Sequence, residues 1–250
     1  AVRDQKKTVL TVPKFCTPQL PPPDSIVLRP ADVQSKKKLD ILRAADAAAR
    51  AVSTDIKQVS CVFMDTEQDV IICNSEGLYV EDTRTRTRMA CAAMADNGKE
   101  KQQASKNPGA SMGFELFHRR VNPTEVGKEA ATVAALMLSA PECPAGVMPV
   151  VIDGGFGGVI FHEACGHSLE ATSVAFNLSE FTGKLGQKIA ADCVTAIDDG
   201  TMPNEWGSTR VDDEGMRTTR LVLIENGILK NYMIDKLNGK RMGMAPTGSG

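Results

Sequence analysis

Two stretches in the first 140 residues repeat apolar residues with helical spacing. In the first, one face is apolar and the other is charged, which predicts a helix over residues 35–58. In the second, Pro123 stands where helices often begin, and the apolar pattern ends before Pro141. The apolar positions are Leu39, Ile41, Leu42, Ala45, Ala49 and Val52, then Val126, Ala130, Val133, Ala134 and Met137. We therefore expect two amphipathic helices in this part of the chain.

Between these helices the pattern changes to that of strands. Three short apolar runs, separated by turn residues, predict antiparallel strands joined by hairpins. The runs are residues 60–65, 69–74 and 77–81. Residues 82–94 predict a longer strand, and Asn97-Gly98 is typical of a further hairpin turn. Residues 98–111 are polar, which suits either a return strand or a mobile loop.

Three arginines lie on one face of the longer predicted strand. Arg84, Arg86 and Arg88 alternate with threonines, and alternate residues of a strand share a face. Such a row is suited to bind phosphate or a peptide carboxylate. We interpret it as a solvent-facing ladder, which is the more frequent case.

The second half of the chain predicts one short helix among strands. A strand over residues 144–153 leads through the glycine-rich residues 154–158 into a helix that carries two histidines. A loop is expected over residues 177–186. Strands are expected at residues 189–197, 211–214, 221–225 and 228–233, with Asn226-Gly227 as a hairpin turn. Residues 242–250 show no pattern of a closing helix or strand.

These elements predict an α+β fold, in which helices pack on an antiparallel sheet and are followed by the helix with the two histidines and a truncated β-rich region. We divide the chain into three parts. They are an extended leading segment over residues 1–30, an α+β domain over residues 31–140, and residues 141–250 with the histidine-bearing helix and the start of an incomplete β-rich domain. Strands without partners would leave open sheet edges, so we expect the chain to associate with other chains at these edges.

Composition and charge exclude several function classes. The formal net charge of −2 provides no electrostatic attraction for nucleic acid, and no apolar run approaches the length of a membrane span. We therefore expect neither nucleic acid nor a membrane as a partner. The seven cysteines, an odd number without a C-x-x-C pair, are typical of reduced thiols in a cytoplasmic protein.

His162, Glu163 and His167 lie within six residues of one another and form the candidate site. Two imidazoles with a carboxylate beside the first are what a zinc hydrolase uses as ligands and as a base. A spacing of five turns the second histidine by about 140° on a regular helix, too far for both to reach one ion. A π-bulge would restore the direction, and Gly166 is suited to permit it. The alternative is a buried helix whose histidines are satisfied by hydrogen bonds; we favour the metal site, on a helix buried by the apolar residues 159–161.

Two acidic pairs follow the histidine cluster. Asp198-Asp199, which precedes Gly200, is best interpreted as a turn. Asp212-Asp213 is a candidate for substrate binding, with a structural role as the alternative.

Several stretches together resemble the TldD/PmbA metallopeptidases, in particular the metal-bearing TldD-like branch. The stretches are residues 38–43, 149–152, 162–170, 198–201, 211–215, 223–233 and 242–248, so the similarity covers most of the chain. The resemblance implies a zinc peptidase with His162 and His167 as ligands and Glu163 as general base. It also implies unfolded or short peptides as substrates, and an oligomer either of this chain or with a PmbA-like subunit.

The family's third zinc ligand is a cysteine near the end of the full-length protein. This chain shows no counterpart, so we expect it to be an internal piece of a longer protein that binds zinc weakly and is inactive alone. Cys165 is expected to pack within the helix, while the position of Cys193 relative to the site stays open. Two alternatives also stay open: a zinc hydrolase of a small molecule, and a non-catalytic partner or scaffold subunit.

Overall fold

The first half of the chain forms an antiparallel sheet with helices on one face. A computed structural model describes residues 14–23 and 25–250. Its strands are β1 (Ile56–Cys73), β2 (Tyr79–Asp96), β3 (Lys101–Lys106) and β4 (Gly109–Ala110). The strand order is β1-β2-β3, and β4 pairs with β2. The helices are α1 (Ser35–Arg50), α2 (Leu116–Arg119) and α3 (Pro123–Met137). Of the predicted leading segment, residues 1–13 and 24 lie outside the described residues.

Helices α1 and α3 pack against the face of β2 opposite to its arginines. The core between them consists mostly of small residues, among them Ala45 and Ala49 of α1, Ala130, Ala131 and Ala134 of α3, and Cys91, Ala93 and Ala95 of β2. The two helices approach closely at Gly127, where an added Cβ would lie 2.0 Å from the carbonyl oxygen of Ala45. Small residues therefore set the distance between the helices.

Helix α3 begins as predicted, whereas α1 ends earlier than predicted. The Asn122 side chain accepts a hydrogen bond from the backbone N–H of Thr124, and Pro123 follows it at the helix start. Helix α1 ends at Arg50 instead of residue 58, because a turn over residues 51–55 leads directly into β1. Pairing of Ile56 with Ala95 commits these residues to the sheet.

The hairpin predicted between residues 65 and 69 is wrong, because β1 runs without a break from Ile56 to Cys73. Its polar residues pair with the polar residues of β2, as in Thr66 with Arg86. The Thr83 hydroxyl also donates a 2.8 Å hydrogen bond to Asp69. Polar cross-strand pairs thus occupy a stretch whose composition resembles a turn. The next turn is confirmed at Asn97-Gly98, with Gly98 at φ +85°, and residues 101–106 form the return strand β3.

Glu115 ties the segment before α1 to the sheet. Its carboxylate is buried and accepts hydrogen bonds from the backbone N–H groups of Val27, Leu28 and Gly113 at 2.9–3.2 Å. Burial acts to raise the pKa of Glu115, but the hydrogen bonds from backbone N–H groups outweigh it and the pKa is lowered. The ionised carboxylate is therefore the form that holds this junction together.

The second half contains short helices and a second antiparallel sheet. A continuous helical segment contains a 3₁₀ turn (Gly155–Gly158), α4 (Val159–Phe161), a π turn (His162–Gly166) and a 3₁₀ turn (His167–Leu169). After it come α5 (Ala171–Val174), β5 (Ala196–Asp199), β6 (Arg220–Glu225), β7 (Ile228–Leu229) and α6 (Lys236–Met242). The sheet order is β5-β6-β7. With the first half, this confirms the predicted α+β class.

Several details of the second half differ from the sequence-based predictions. The strand predicted over residues 211–214 is reduced to an isolated bridge at Val211, and β7 covers only the start of the strand predicted over residues 228–233. Residues 144–153 form no strand, and β5 covers only the end of the strand predicted over residues 189–197. Helix α6 was not predicted. Its signals were present in the sequence, since Asp235 caps the start by accepting from the N–H of Asn238, and Gly243 ends the helix at φ +64°. The Asn226-Gly227 hairpin between β6 and β7 is confirmed.

The arginine row of β2 lies at the contact between the two halves, so the solvent-facing interpretation is wrong. Arg84 is only 13% exposed in its side chain and forms a 2.8 Å ion pair with Asp213. Arg86 donates from Nε to the carbonyl oxygen of Trp206 at 3.0 Å, and the guanidinium groups of Arg86 and Arg88 lie near the indole ring. The row therefore holds residues 206–213 against the sheet. In the part of the chain that the structure describes, no helix combines the length and apolar character needed to cross a bilayer.

Candidate metal centre

The π turn predicted from the spacing of the two histidines is present. The backbone N–H of His167 donates to the carbonyl oxygen of His162, five residues earlier, which is the hydrogen bond of a π turn. The extra residue brings both imidazoles to one side of the segment. Their ring centroids lie 4.3 Å apart at an interplanar angle of 64°.

Glu163 joins the two imidazoles in a cluster of ligand-type atoms. One atom from each of His162, Glu163 and His167 lies within 4.8 Å of the others. The Glu163 carboxylate is 4.0 Å from Nε2 of His167, and its side chain is 66% exposed. Among the described residues, this is the group of histidine, cysteine and acidic side chains whose ligand atoms lie close enough together to share a metal ion.

Gly166 leaves space for the His162 ring. Its backbone angles, φ −55° and ψ −57°, are helical, so the π turn does not depend on unusual angles at this residue. An added Cβ would lie 3.3 Å from Nδ1 and 3.6 Å from Cγ of His162. Glycine is therefore suited to this position because it leaves space for the imidazole. The predicted reason, that the π turn needs the backbone freedom of glycine, is wrong.

Glu170 orients the second imidazole. Its carboxylate lies 2.8 Å from Nδ1 of His167 and also accepts a hydrogen bond from the Thr172 hydroxyl at 3.3 Å. With Nδ1 engaged by a carboxylate, Nε2 is the nitrogen left to bind a metal, an arrangement usual around metal-binding histidines. Sequence reasoning did not assign this role to Glu170; the signal was an acidic residue three positions after a histidine.

The predicted burial of the segment by Val159–Phe161 is wrong, because none of these three residues is buried. The segment is instead held from its C-terminal end. Gly166 and Leu169 are buried, and the backbone of Met233 exchanges hydrogen bonds with Leu169 and Ala171 at 3.0 and 2.8 Å. The histidine side of the segment consequently remains open to solvent, with His167 54% exposed.

The two cysteines considered as further ligands lie elsewhere. Cys165 packs against the second hydrophobic cluster, with Leu169, Leu223 and Tyr232 among its members, and burial raises the pKa of its thiol. Cys193 is exposed. Neither thiol belongs to the cluster of ligand atoms around His162.

Asp212 and Asp213 are separate from this cluster in the described part of the chain. Asp212 is buried, and its carboxylate accepts hydrogen bonds from the backbone N–H groups of Glu214, Met216 and Gly250 at 2.8–3.0 Å. Asp213 is exposed apart from its ion pair with Arg84. Asp198 and Asp199 are the last residues of β5, so the predicted turn begins only at Gly200, where Asp199 accepts a hydrogen bond from the N–H of Thr201.

The donor set fits a zinc ion. Two imidazole nitrogens and a neighbouring carboxylate are ligand types that zinc prefers, and an outer carboxylate fixes the orientation of one imidazole. The cluster is exposed to solvent, so a water molecule or a substrate can reach it.

Comparison with known proteins assigns both halves to one family. Residues 28–138 match the PmbA/TldA metallopeptidase central domain, and residues 145–250 match the PmbA/TldA metallopeptidase C-terminal domain. A Haemophilus influenzae metalloprotease TldD homolog is 36% identical over 219 residues, covering 86% of this chain and 45% of that protein. A Methanocaldococcus jannaschii metalloprotease is 34% identical over 223 residues, covering 89% of this chain and 48% of that protein.

The fold agrees with this assignment. The crystal structure of a Thermotoga maritima protein, proposed to modulate a DNA gyrase, matches with a TM-score of 0.82 and 26% sequence identity, over 97% of this chain and 55% of that one. The chain thus spans about half the length of the relatives it matches. From its two matched domains and its curated relatives, the chain belongs to the TldD/PmbA family of metallopeptidases.

Proposed function

We propose that this chain carries the metal-binding part of a TldD-like zinc peptidase, with His162 and His167 as ligands and Glu163 as general base. The observation that carries the proposal is the π turn, which brings the ligand atoms of these three residues within 4.8 Å of one another. Curated relatives are named metalloproteases, which supports a metal-dependent peptidase reaction.

Each residue has a distinct role in the proposed reaction. His162 and His167 would hold the ion through imidazole nitrogens, and the contact of Glu170 with Nδ1 of His167 would leave Nε2 of that ring free to bind it. When bound, zinc supplies Lewis acidity that polarises a carbonyl group and makes a water molecule more acidic. The Glu163 carboxylate accepts the proton of the attacking water and passes it to the leaving nitrogen. Its exposed position allows the substrate to approach it.

The openness of the site supports unfolded or short peptides as substrates. His167 and Glu163 are more than half exposed, and the neighbouring Val159, Ile160 and Phe161 present apolar side chains to solvent. A peptide in extended form can reach such a site, whereas a folded protein presents few peptide bonds that can. Access to the site therefore supports the same substrate class as the family resemblance does.

Two histidines hold zinc more weakly than the three protein ligands usual in catalytic sites. We propose that a cysteine thiolate of the full-length protein completes the set, as the resemblance implies. The isolated 250-residue chain is then expected to lose its zinc on dialysis. Adding a small thiol should strengthen zinc binding to the wild-type chain and leave His162→Ala unaffected.

The test uses the full-length protein and separates zinc binding from cleavage. Glu163→Ala should retain zinc by elemental analysis and lose cleavage of an unfolded peptide, whereas His167→Ala should lose both. Cleavage that survives in Glu163→Ala would show that the assigned base is wrong. Cobalt substitution adds a spectroscopic check, since a scaffold subunit without the site should show no tetrahedral cobalt spectrum.

A second comparison addresses the chemistry of the substrate. A peptide library and a panel of small amides and esters should be digested side by side. Preference for the peptides supports the peptidase, and cleavage of the panel alone would support a hydrolase of small molecules instead. We also propose a cytoplasmic setting, supported by seven free cysteines, and an oligomer of this chain or with a PmbA-like subunit, which light scattering of the full-length proteins can test.

A further inference from the structure

A basic cleft lies at the contact between the two halves, on the arginine face of β2. It has a volume of about 530 Å³, which is in the range of small-molecule sites. Its walls come from residues 82–86 of β2, from residues 200–204 and 208–210, and from the proline run at residues 21–23. The cleft therefore joins three separate parts of the chain and does not include the histidine cluster.

Within the described part of the chain, the charged residues that line the cleft are four arginines and one aspartate. They are Arg84, Arg86, Arg210, Arg217 and Asp82. The one carboxylate is already engaged. Asp82 is buried and accepts hydrogen bonds from Nε and a terminal nitrogen of Arg210 at 2.8 and 2.5 Å. It also lies 3.6 Å from Nε of Arg84, whose terminal nitrogen pairs with Asp213. Two of the four arginines are thus neutralised.

The other two arginines keep donors for a ligand. Arg86 uses only Nε, on the carbonyl oxygen of Trp206, and its terminal nitrogens have no hydrogen-bond partner within residues 14–23 and 25–250. Arg217 is exposed, and over the same residues its side chain forms no ion pair or hydrogen bond. A concave, low-dielectric surface strengthens the field of such uncompensated charges.

We propose that this cleft binds a small ligand through a carboxylate, held by Arg86 and Arg217, with the C-terminal carboxylate of a short peptide as its chemical class. The guanidinium fork matches the two oxygens of a carboxylate. Ser208 contributes a hydroxyl group to the lining of the cleft, and Met202 contributes an apolar surface. The site is separate from the metal centre, and its occupation does not depend on zinc.

Trp206 provides the readout. It is the single tryptophan of the chain, and its ring lies 6.0 Å from the Arg86 guanidinium, so a carboxylate on Arg86 should change its fluorescence. The probes are an acetylated dialanine with a free carboxylate, its C-terminal amide and inorganic phosphate, each titrated in the presence of EDTA. The free acid should bind saturably, at least tenfold more tightly than the amide, and its affinity should fall between about 0.05 M and about 0.3 M salt.

Variants test whether the free acid binds in the cleft or is attracted by the overall charge of the protein. Arg217→Gln should weaken binding of the free acid about tenfold without disturbing the fold, because its side chain is exposed. Arg86→Gln should do the same, and its circular dichroism reports whether the two halves remain folded. Arg119→Gln, an exposed arginine outside the cleft, should bind like the wild type.

Three results would overturn the proposal. They are equal binding of the acid and the amide, wild-type binding by Arg217→Gln, and binding of phosphate without binding of the dipeptide acid. Because EDTA is present throughout, these outcomes are independent of the proposed peptidase reaction.

Discussion

Replacing Gly166 by alanine should weaken metal binding while leaving the fold as stable as before or more stable. The residue has helical backbone angles, so alanine fits the backbone without strain. Its methyl group, however, would lie 3.3 Å from Nδ1 of His162. A contact of that length requires the imidazole to move by a few tenths of an ångström, and the ring is a proposed ligand.

The two effects have opposite signs and can be measured separately. Alanine is favoured over glycine within a helix by up to about 1 kcal/mol, which should appear as an equal or higher free energy of unfolding. Displacing the support of a metal ligand typically lowers metal affinity about 10–100-fold. We therefore expect Gly166→Ala to lose about tenfold in zinc affinity with no loss of stability.

The assay is zinc titration of the full-length protein against a chelating dye, with urea unfolding of the metal-free protein alongside. Gly158→Ala is the matched control. Gly158 also has helical angles in the same segment, and an added Cβ there meets no atom within 4 Å. Zinc affinity of Gly166→Ala within twofold of that control would refute the steric role of Gly166. A lower free energy of unfolding for Gly166→Ala would contradict the helical backbone conformation of this residue.

Three further predictions concern the first half of the chain. Gly127→Ala should lower the free energy of unfolding in urea by about 1–3 kcal/mol, because its Cβ would lie 2.0 Å from the Ala45 carbonyl oxygen; stabilisation would contradict the close approach of the helices. Glu115→Gln should cost about 1–3 kcal/mol at pH 7. The pKa of Glu115 is lowered in the folded state, so the difference in free energy of unfolding between wild type and Glu115→Gln should depend on pH. It should be complete above the unfolded-state pKa of about 4.3 and disappear as the pH falls through the folded-state pKa. A difference that does not change with pH would contradict the role of the ionised carboxylate. Burial, and then the hydrogen bond with Cys91, raise the pKa of Cys61 to about 12, so at pH 8 a thiol reagent should modify Cys61 more slowly than exposed Cys143; peptide mass spectrometry can measure both rates, and equal rates would contradict the prediction.

Local patterns were the part of the structure that could be predicted. The π turn followed from a histidine spacing of five, because the direction of a side chain depends on residues within one turn. Helices α1 and α3 and the turns at Asn97-Gly98 and Asn226-Gly227 followed in the same way, from periodicity and turn chemistry. These predictions needed no knowledge of what lies opposite each residue.

Three of the wrong predictions depended on a distant partner. The polar residues 65–69 resembled a turn until β2 supplied threonines and arginines opposite them. The apolar residues Val159–Phe161 were expected to be buried, yet none of them is. Arg84 was assigned to solvent, but Asp213, 129 residues away in sequence, pairs with it.

The sequence by itself therefore determined the composition of the candidate metal site, the π turn that aligns its histidines and the α+β class of the fold. Only the tertiary structure decided that Glu170 orients His167, that Gly166 makes room for His162, and that the arginine row of β2 joins the two halves around a cleft. The physical reason is that a backbone turn is set by neighbouring residues, whereas burial and charge pairing are set by whichever distant residues the fold places alongside.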